Sequence, residues 1–144
     1  MRVQPYLSFE GRAEEALDFY ANAVGAEVGV KMRYKDAPPM EGMAKEGCTD
    51  MGAPPAEKIM HSEFKIGESM IMASDGFCSG KANFAGVSLA IQAKNDAEAK
   101  RIFDGLAAGG QVHQPLIKTF FATSFGMLAD KFGVSWMVVA PEAP

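Results

Sequence analysis

Hydrophobic and polar residues alternate most clearly over 58–75, KIMHSEFKIGESMIMASD. Strict alternation is the mark of a half-buried strand, because successive side chains point to opposite faces. Ile59 to Ile66 is predicted as one strand and Ser69 to Ala73 as the next, with Gly67-Glu68 as the tight turn. On the first, Met60, Ser62, Phe64 and Ile66 share one face, and His61, Glu63 and Lys65 share the other. A similar pattern returns in DKFGVSWMVVA, Asp130 to Ala140, where Lys131, Gly133, Ser135 and Met137 follow Lys65, Gly67, Ser69 and Ile71 at a constant offset of 66.

The rest of the chain repeats in the same way. Val3 to Phe9 alternates as a strand, with Pro5 marking an edge. Ala13 to Val24 carries the 3.6-residue stripe of a helix, with Glu14 and Glu15 in its first turn and Gly25 past its end. Glu27 to Tyr34 is the next strand. In the second half, Phe84 to Ala93 is a strand, a helix capped by Asn95 or Asp96 runs to about Ala107, and Gly109-Gly110 stops it. Gln111 to Ile117, Phe121 to Ala129 and Lys131 to Ala140 are strands. AEEALDFYANAVGAEV (13–28) lies over AEAKRIFDGLAAGGQV (97–112). The predicted class is α+β: two tandem βαβββ modules in a single domain over 1–144, with module one at 1–75 and module two at 84–141.

Inside module one, between the second strand and the 58–75 hairpin, the pattern breaks. Residues 36–57, rich in Pro, Gly and Met, have no periodicity. They read as a mobile acidic insertion or as a lid or dimer arm in which Met40, Met43 and Met51 make an adaptable apolar surface.

Composition narrows the function classes. A net charge of −4 without a basic cluster argues against nucleic acid. The N-terminus MRVQPYLSFE has no apolar core of a secretion signal, and no apolar run approaches the ~20 residues of a membrane span. These features point to the cytoplasm, with no membrane partner. Cys48 and Cys78 lack metal spacing and read as two reduced thiols.

The stretches PYLSFEGRAEEALDFYANAVGAEV, KIMHSEFKIGESMIMASD, SGKANFAGVSLAI and FATSFGMLADKFGVSWMVV resemble the PhnB-like branch of the vicinal oxygen chelate superfamily, which includes glyoxalase I, extradiol dioxygenases and bleomycin-resistance proteins. The resemblance spans nearly the whole chain except 36–57. It implies an open, curved eight-stranded sheet around a cup, in a glyoxalase-like fold, and a homodimer. Some members of the branch carry a quinone O-methyltransferase label; here no GxGxxG-like loop follows a strand.

Carried over residue by residue, the superfamily's four metal ligands fall near Pro5, at His61, near Gly86 and near Met137. His61 alone can hold a metal, and a stable site needs three or four ligands. The expectation is therefore no metal and no cofactor. His61 is the candidate catalytic group, a hydrogen-bond partner or general base, or else a structural histidine paired with Glu63.

Phe120, Phe121, Phe125, Phe132 and Trp136 crowd the second module. Most read as core, but Phe121 and Phe125, flanked by Thr119 and Ser124, also suit the apolar wall of a ligand pocket with hydroxyls for orientation. Asp75, Asp130 and Glu63 nearby favour a cationic or neutral guest. The expected ligand-binding set is His61, Glu63, Phe121, Phe125, Trp136 and Met137, and the expected partner a small apolar or aromatic molecule. The residues leave open whether the chain is an enzyme. Two other readings stand beside binding: a metal-dependent lyase, isomerase or dioxygenase using His61, and a dimerising scaffold without a ligand.

Overall fold

A computed structural model describes residues 1–36 and 56–141 of the chain. The expectations for Met40, Met43, Met51 and Cys48 lie outside those residues. The chain divides into two compact units, Met1–Ala82 and Asn83–Pro144.

The first unit runs β1 (Tyr6–Ser8), α1 (Ala13–Val24), β2 (Glu27–Arg33), a short 3-10 turn at Tyr34–Asp36, β3 (Ile59–Ile66) and β4 (Ser69–Ser74). Its sheet has the order β1-β4-β3-β2, with β1 parallel to β4 and the other pairs antiparallel. The second unit repeats this with β5 (Ser88–Gln92), α2 (Asp96–Ala107), β6 (Gln111–Ile117), β7 (Ser124–Ala129) and β8 (Ser135–Ala140), in the order β5-β8-β7-β6. The eight strands thus form two hydrogen-bonded sets of four, one for each βαβββ module.

In each unit the helix packs on one face of its sheet. Tyr20 of α1 is fully buried and stacks on Phe64 of β3 at 5.6 Å. Leu17, Ile71 and Ala73 fill the same side, where the Ser62 hydroxyl donates to the Ala73 carbonyl at 2.7 Å. α1 ends as expected, with Gly25 in the left-handed region at φ 69, where a Cβ is disfavoured. In the second unit the helix face of the sheet carries Leu128, Trp136 and Val138, all buried. α2 comes so close at Gly126 that a Cβ there would lie 2.6 Å from the Phe103 ring.

Several expected boundaries move inward. β1 starts at Tyr6, although the Pro5 carbonyl still accepts from Met72 N at 3.0 Å. β5 starts only at Ser88, after Gly86 at φ 81 turns the chain. β7 starts at Ser124, and residues 131–134 belong to the turn before β8.

The constant offset of 66 is corrected by the register. Phe64 pairs with Ile71 on the helix face of the first sheet, and Leu128 pairs with Trp136 on the helix face of the second. Equivalent residues therefore lie 64 apart on β3 and β7, and 65 apart on β4 and β8. The turn at Gly67-Glu68 is one residue shorter than its counterpart. A one-residue slip moves every side chain to the other face, so Ile71 corresponds to Trp136 and not to Met137.

One buried carboxylate ties each unit together. Asp75 accepts from Ala13 N at 2.8 Å and from Ile59 N at 2.6 Å, joining the start of α1 to the start of β3. Asp130 accepts from Phe132 N at 2.9 Å and Val134 N at 3.1 Å in its own turn and from Trp136 Nε1 at 2.8 Å on β8. The expected pair of reduced thiols is also corrected. Cys78 is disulfide-bonded, and it sits at φ 52 in a loop that Glu10 holds by accepting from Phe77 N and the Ser79 hydroxyl.

Candidate functional site

The face of the first sheet opposite α1 is where the unit is chemically equipped. Because Ser62 and Phe64 point toward α1, the residues between and beside them on β3, His61, Glu63 and Lys65, point away from it. β1 adds Tyr6, which pairs with Met72; Met72 pairs in turn with Glu63, so the three stand abreast. Met32 of β2 pairs with His61.

Tyr6, His61 and Glu63 form one chain of contacts. The Tyr6 hydroxyl lies 3.2 Å from His61 Nδ1, with the two rings 5.7 Å apart and tilted by 34°. His61 Nε2 lies 3.5 Å from Glu63 Oε1, a long and weak approach. The side chains of His61 and Glu63 keep 30% and 36% of their accessible surface, enough for a guest to reach them. Tyr6 was not among the residues expected at the site. Its signal was there, since it alternates with Leu7 and falls on the side opposite the core.

The second unit's equivalent face is apolar. Phe125 and Met127 of β7 and Met137 of β8 point away from α2. Phe121 lies edge-on to Phe125 at 5.3 Å, and Phe120 edge-on to Phe121 at 5.1 Å. Phe120 is 95% exposed and Phe121 51%. Of the residues expected here, Phe121, Phe125 and Met137 share one side of the sheet.

Trp136 does not join them, which corrects its place in the ligand-binding set. It is 1% exposed on the helix face, with its indole N–H committed to Asp130. The hydroxyls expected to orient a guest are committed as well. Thr119 Oγ1 accepts from Phe121 N and Ala122 N, which shapes the 119–122 turn. The Ser124 and Thr123 hydroxyls both donate to Asp96 Oδ1 at 2.6 Å, and these bonds hold that carboxyl below its ordinary range. Asp75 and Asp130 are buried and bound to backbone, so neither adds charge to the site.

Among the described residues, no three His, Cys, Asp or Glu side chains are grouped to hold a metal ion. No described helix is long and apolar enough to cross a membrane.

The family described as 3-demethylubiquinone-9 3-methyltransferase matches residues 1–139. The chain belongs to this PhnB-like family. It is 38% identical over 138 residues to the protein YjdN of Escherichia coli (strain K12), covering 96% of this chain and 94% of that one. The crystal structure of PA1353 from Pseudomonas aeruginosa is 34% identical, with a TM-score of 0.81 over 99% of both chains. The PhnB protein of Bacillus cereus is 26% identical, with a TM-score of 0.76 over 97% of this chain and 99% of that one. The paired βαβββ modules of this PhnB-like chain are those of the vicinal oxygen chelate, glyoxalase-like fold.

Proposed function

We propose that this PhnB-like protein binds a small, largely apolar or aromatic molecule without a metal ion, on the faces of its sheets that neither described α-helix covers. One observation carries the reading: on the first unit's free face, His61 and Glu63 stand half-exposed among Met32 and Met72. A few polar groups set in apolar surroundings are the usual make-up of a ligand site. Phe121, Phe125 and Met137 supply apolar surface on the second unit. The absence of a metal rests on donor chemistry, because Pro5, Gly86 and Met137 cannot replace the side chains that His61 would need beside it.

Methyl transfer is not part of this reading. β1 enters α1 through Phe9-Glu10-Gly11-Arg12, which has one glycine where a nucleotide-binding turn uses several. We further place the protein in the cytoplasm as a homodimer. The exposed Val28 and Val30 on edge strand β2 favour a second copy.

The test is a thermal-shift screen of the full chain against small aromatic compounds and divalent metals. A compound at a hundred times its dissociation constant stabilises by about 2.7 kcal/mol. His61→Ala is expected to remove that gain. A gain that survives this substitution would place the site elsewhere, and stabilisation by a metal alone would favour the metal-dependent reading.

A further inference from the structure

The arrangement of Tyr6, His61 and Glu63 says more about the guest than its size. A carboxylate only accepts hydrogen bonds. Glu63 Oε1 faces Nε2, so the imidazole tautomer that serves both of its contacts has the proton on Nε2 and leaves Nδ1 as an acceptor. The group facing Nδ1 is the Tyr6 hydroxyl at 3.2 Å, and with that tautomer Tyr6 donates its one hydrogen to His61. What Tyr6 then offers outward is a phenol oxygen with lone pairs and no hydrogen, on a residue that is 51% exposed.

We propose that Tyr6 is the group of this face that meets the ligand, and that it accepts a hydrogen bond from a neutral hydroxyl on an otherwise apolar molecule. This deepens the binding reading above and rests on it. His61 and Glu63 act through Tyr6 as positioning residues. The glutamate biases the histidine's tautomer, and the histidine sets the direction of the tyrosine's hydrogen. Neutrality of the guest follows from the row of charges. Glu63 and Lys65 stand two residues apart on the same face, and their formal charges cancel around a neutral imidazole. Met72, abreast of Tyr6 and Glu63, and Met32, beside His61, give the apolar frame its surface.

Two measurements on the full chain test this. The first is long-range proton–nitrogen NMR of the imidazoles, of which the chain has two. At neutral pH, His61 is expected with Nε2 protonated and Nδ1 bare. The opposite tautomer would reverse the Tyr6 hydrogen bond and overturn the proposal.

The second is fluorescence titration with 2-naphthol and with its methyl ether, 2-methoxynaphthalene. The ether keeps the ring and the oxygen but carries a methyl group in place of the hydroxyl hydrogen, so it cannot donate. 2-Naphthol is expected to bind about tenfold more tightly, the effect of one well-placed hydrogen bond. Tyr6→Phe is expected to abolish the preference, so that 2-naphthol binds no more tightly than the methyl ether. Equal binding of both probes to the native chain, or a preference that survives Tyr6→Phe, overturns the proposal and leaves the free face as a binding site. Binding of neither probe overturns the hydroxyl requirement and counts against the face itself.

Discussion

The two units use one scaffold to build opposite surfaces. Where the first has His61, the second has Phe125; where the first has Glu63, the second has Met127. Met72 answers to Met137, and Tyr6, which pairs with Met72, answers to Ala90, which pairs with Met137. Every polar member of the Tyr6–His61–Glu63 chain is thus replaced by an apolar residue in the second copy. The helix faces show no such contrast. Ser62 and Gly126, Phe64 and Leu128, Ile71 and Trp136, Ala73 and Val138 are small or apolar pairs. Packing constrains the covered face of each sheet alike, so the copies differ where packing asks least.

The largest effects are expected at the two buried aspartates, which both bind backbone N–H groups but over different spans of the chain. Asp75 links segments distant in sequence, whereas Asp130 serves residues two, four and six places along. Replacing either by Ala strands buried N–H donors, and about 3 kcal/mol of lost stability is expected for each. Hydrogen exchange distinguishes them. Asp75→Ala is expected to lose protection at the start of α1 and the start of β3 together, Asp130→Ala only around 130–136. Protection lost across both units in either variant would show that the units do not open separately.

The next effect concerns the free faces. Phe125→Ala removes a ring that rests edge-on against Phe121, and is expected to cost about 2 kcal/mol. Its counterpart substitution, His61→Ala, removes a half-exposed side chain whose polar contacts among the described residues are the exposed Tyr6 hydroxyl and, at 3.5 Å, Glu63, and is expected to stay within about 0.5 kcal/mol. Denaturant unfolding measures both. A larger loss at His61 than at Phe125 would make the histidine a structural group and reverse the roles of the two faces.

Much of this was legible in the sequence, for definite reasons. α1 at Ala13–Val24 follows from a 3.6-residue stripe bounded by glycine, and β2 and β6 at 27–33 and 111–117 from short apolar patterns closed by polar or aromatic breaks. His61 and Glu63 were placed on the right face because alternation on β3 is unbroken. Trp136 was misplaced because it was grouped with Phe121 and Phe125 as an aromatic, although it and Met137 are neighbours on β8 and point to opposite faces. Only the hydrogen-bonded register shows that the second turn has one residue more. Tyr6 was overlooked because β1 and β3 are not sequence neighbours, and β4 between them brings Tyr6 into line with Glu63. The use of Thr119 and Ser124 likewise depends on which backbone and carboxylate groups come within reach, which no local pattern records.

The smallest expected effect is the response to acid, and it again separates the units. Glu10 sits in the first unit, where partial burial pushes its carboxyl up. Bonds from the Ser8 and Ser79 hydroxyls and from the Phe77 and Ser79 backbone outweigh that and bring it below its ordinary 4.5. A carboxyl lowered by folding contributes stability that is present in full above its unfolded value and disappears as pH falls through its folded value. Stability is therefore expected to decline below about pH 4.5 on account of this group, and Glu10→Gln, which does not titrate, to flatten that limb. The second unit's counterpart is Asp96, lowered by Ser124 and Thr123 at the start of α2 and β7 but fully exposed. Solvent screens an exposed group, so Asp96→Asn is expected to change the acid limb less than Glu10→Gln does. Melting temperatures between neutral and acid pH decide the matter: an Asp96→Asn profile flatter than that of Glu10→Gln would move the acid-sensitive anchor from the Glu10 loop to the α2–β7 junction.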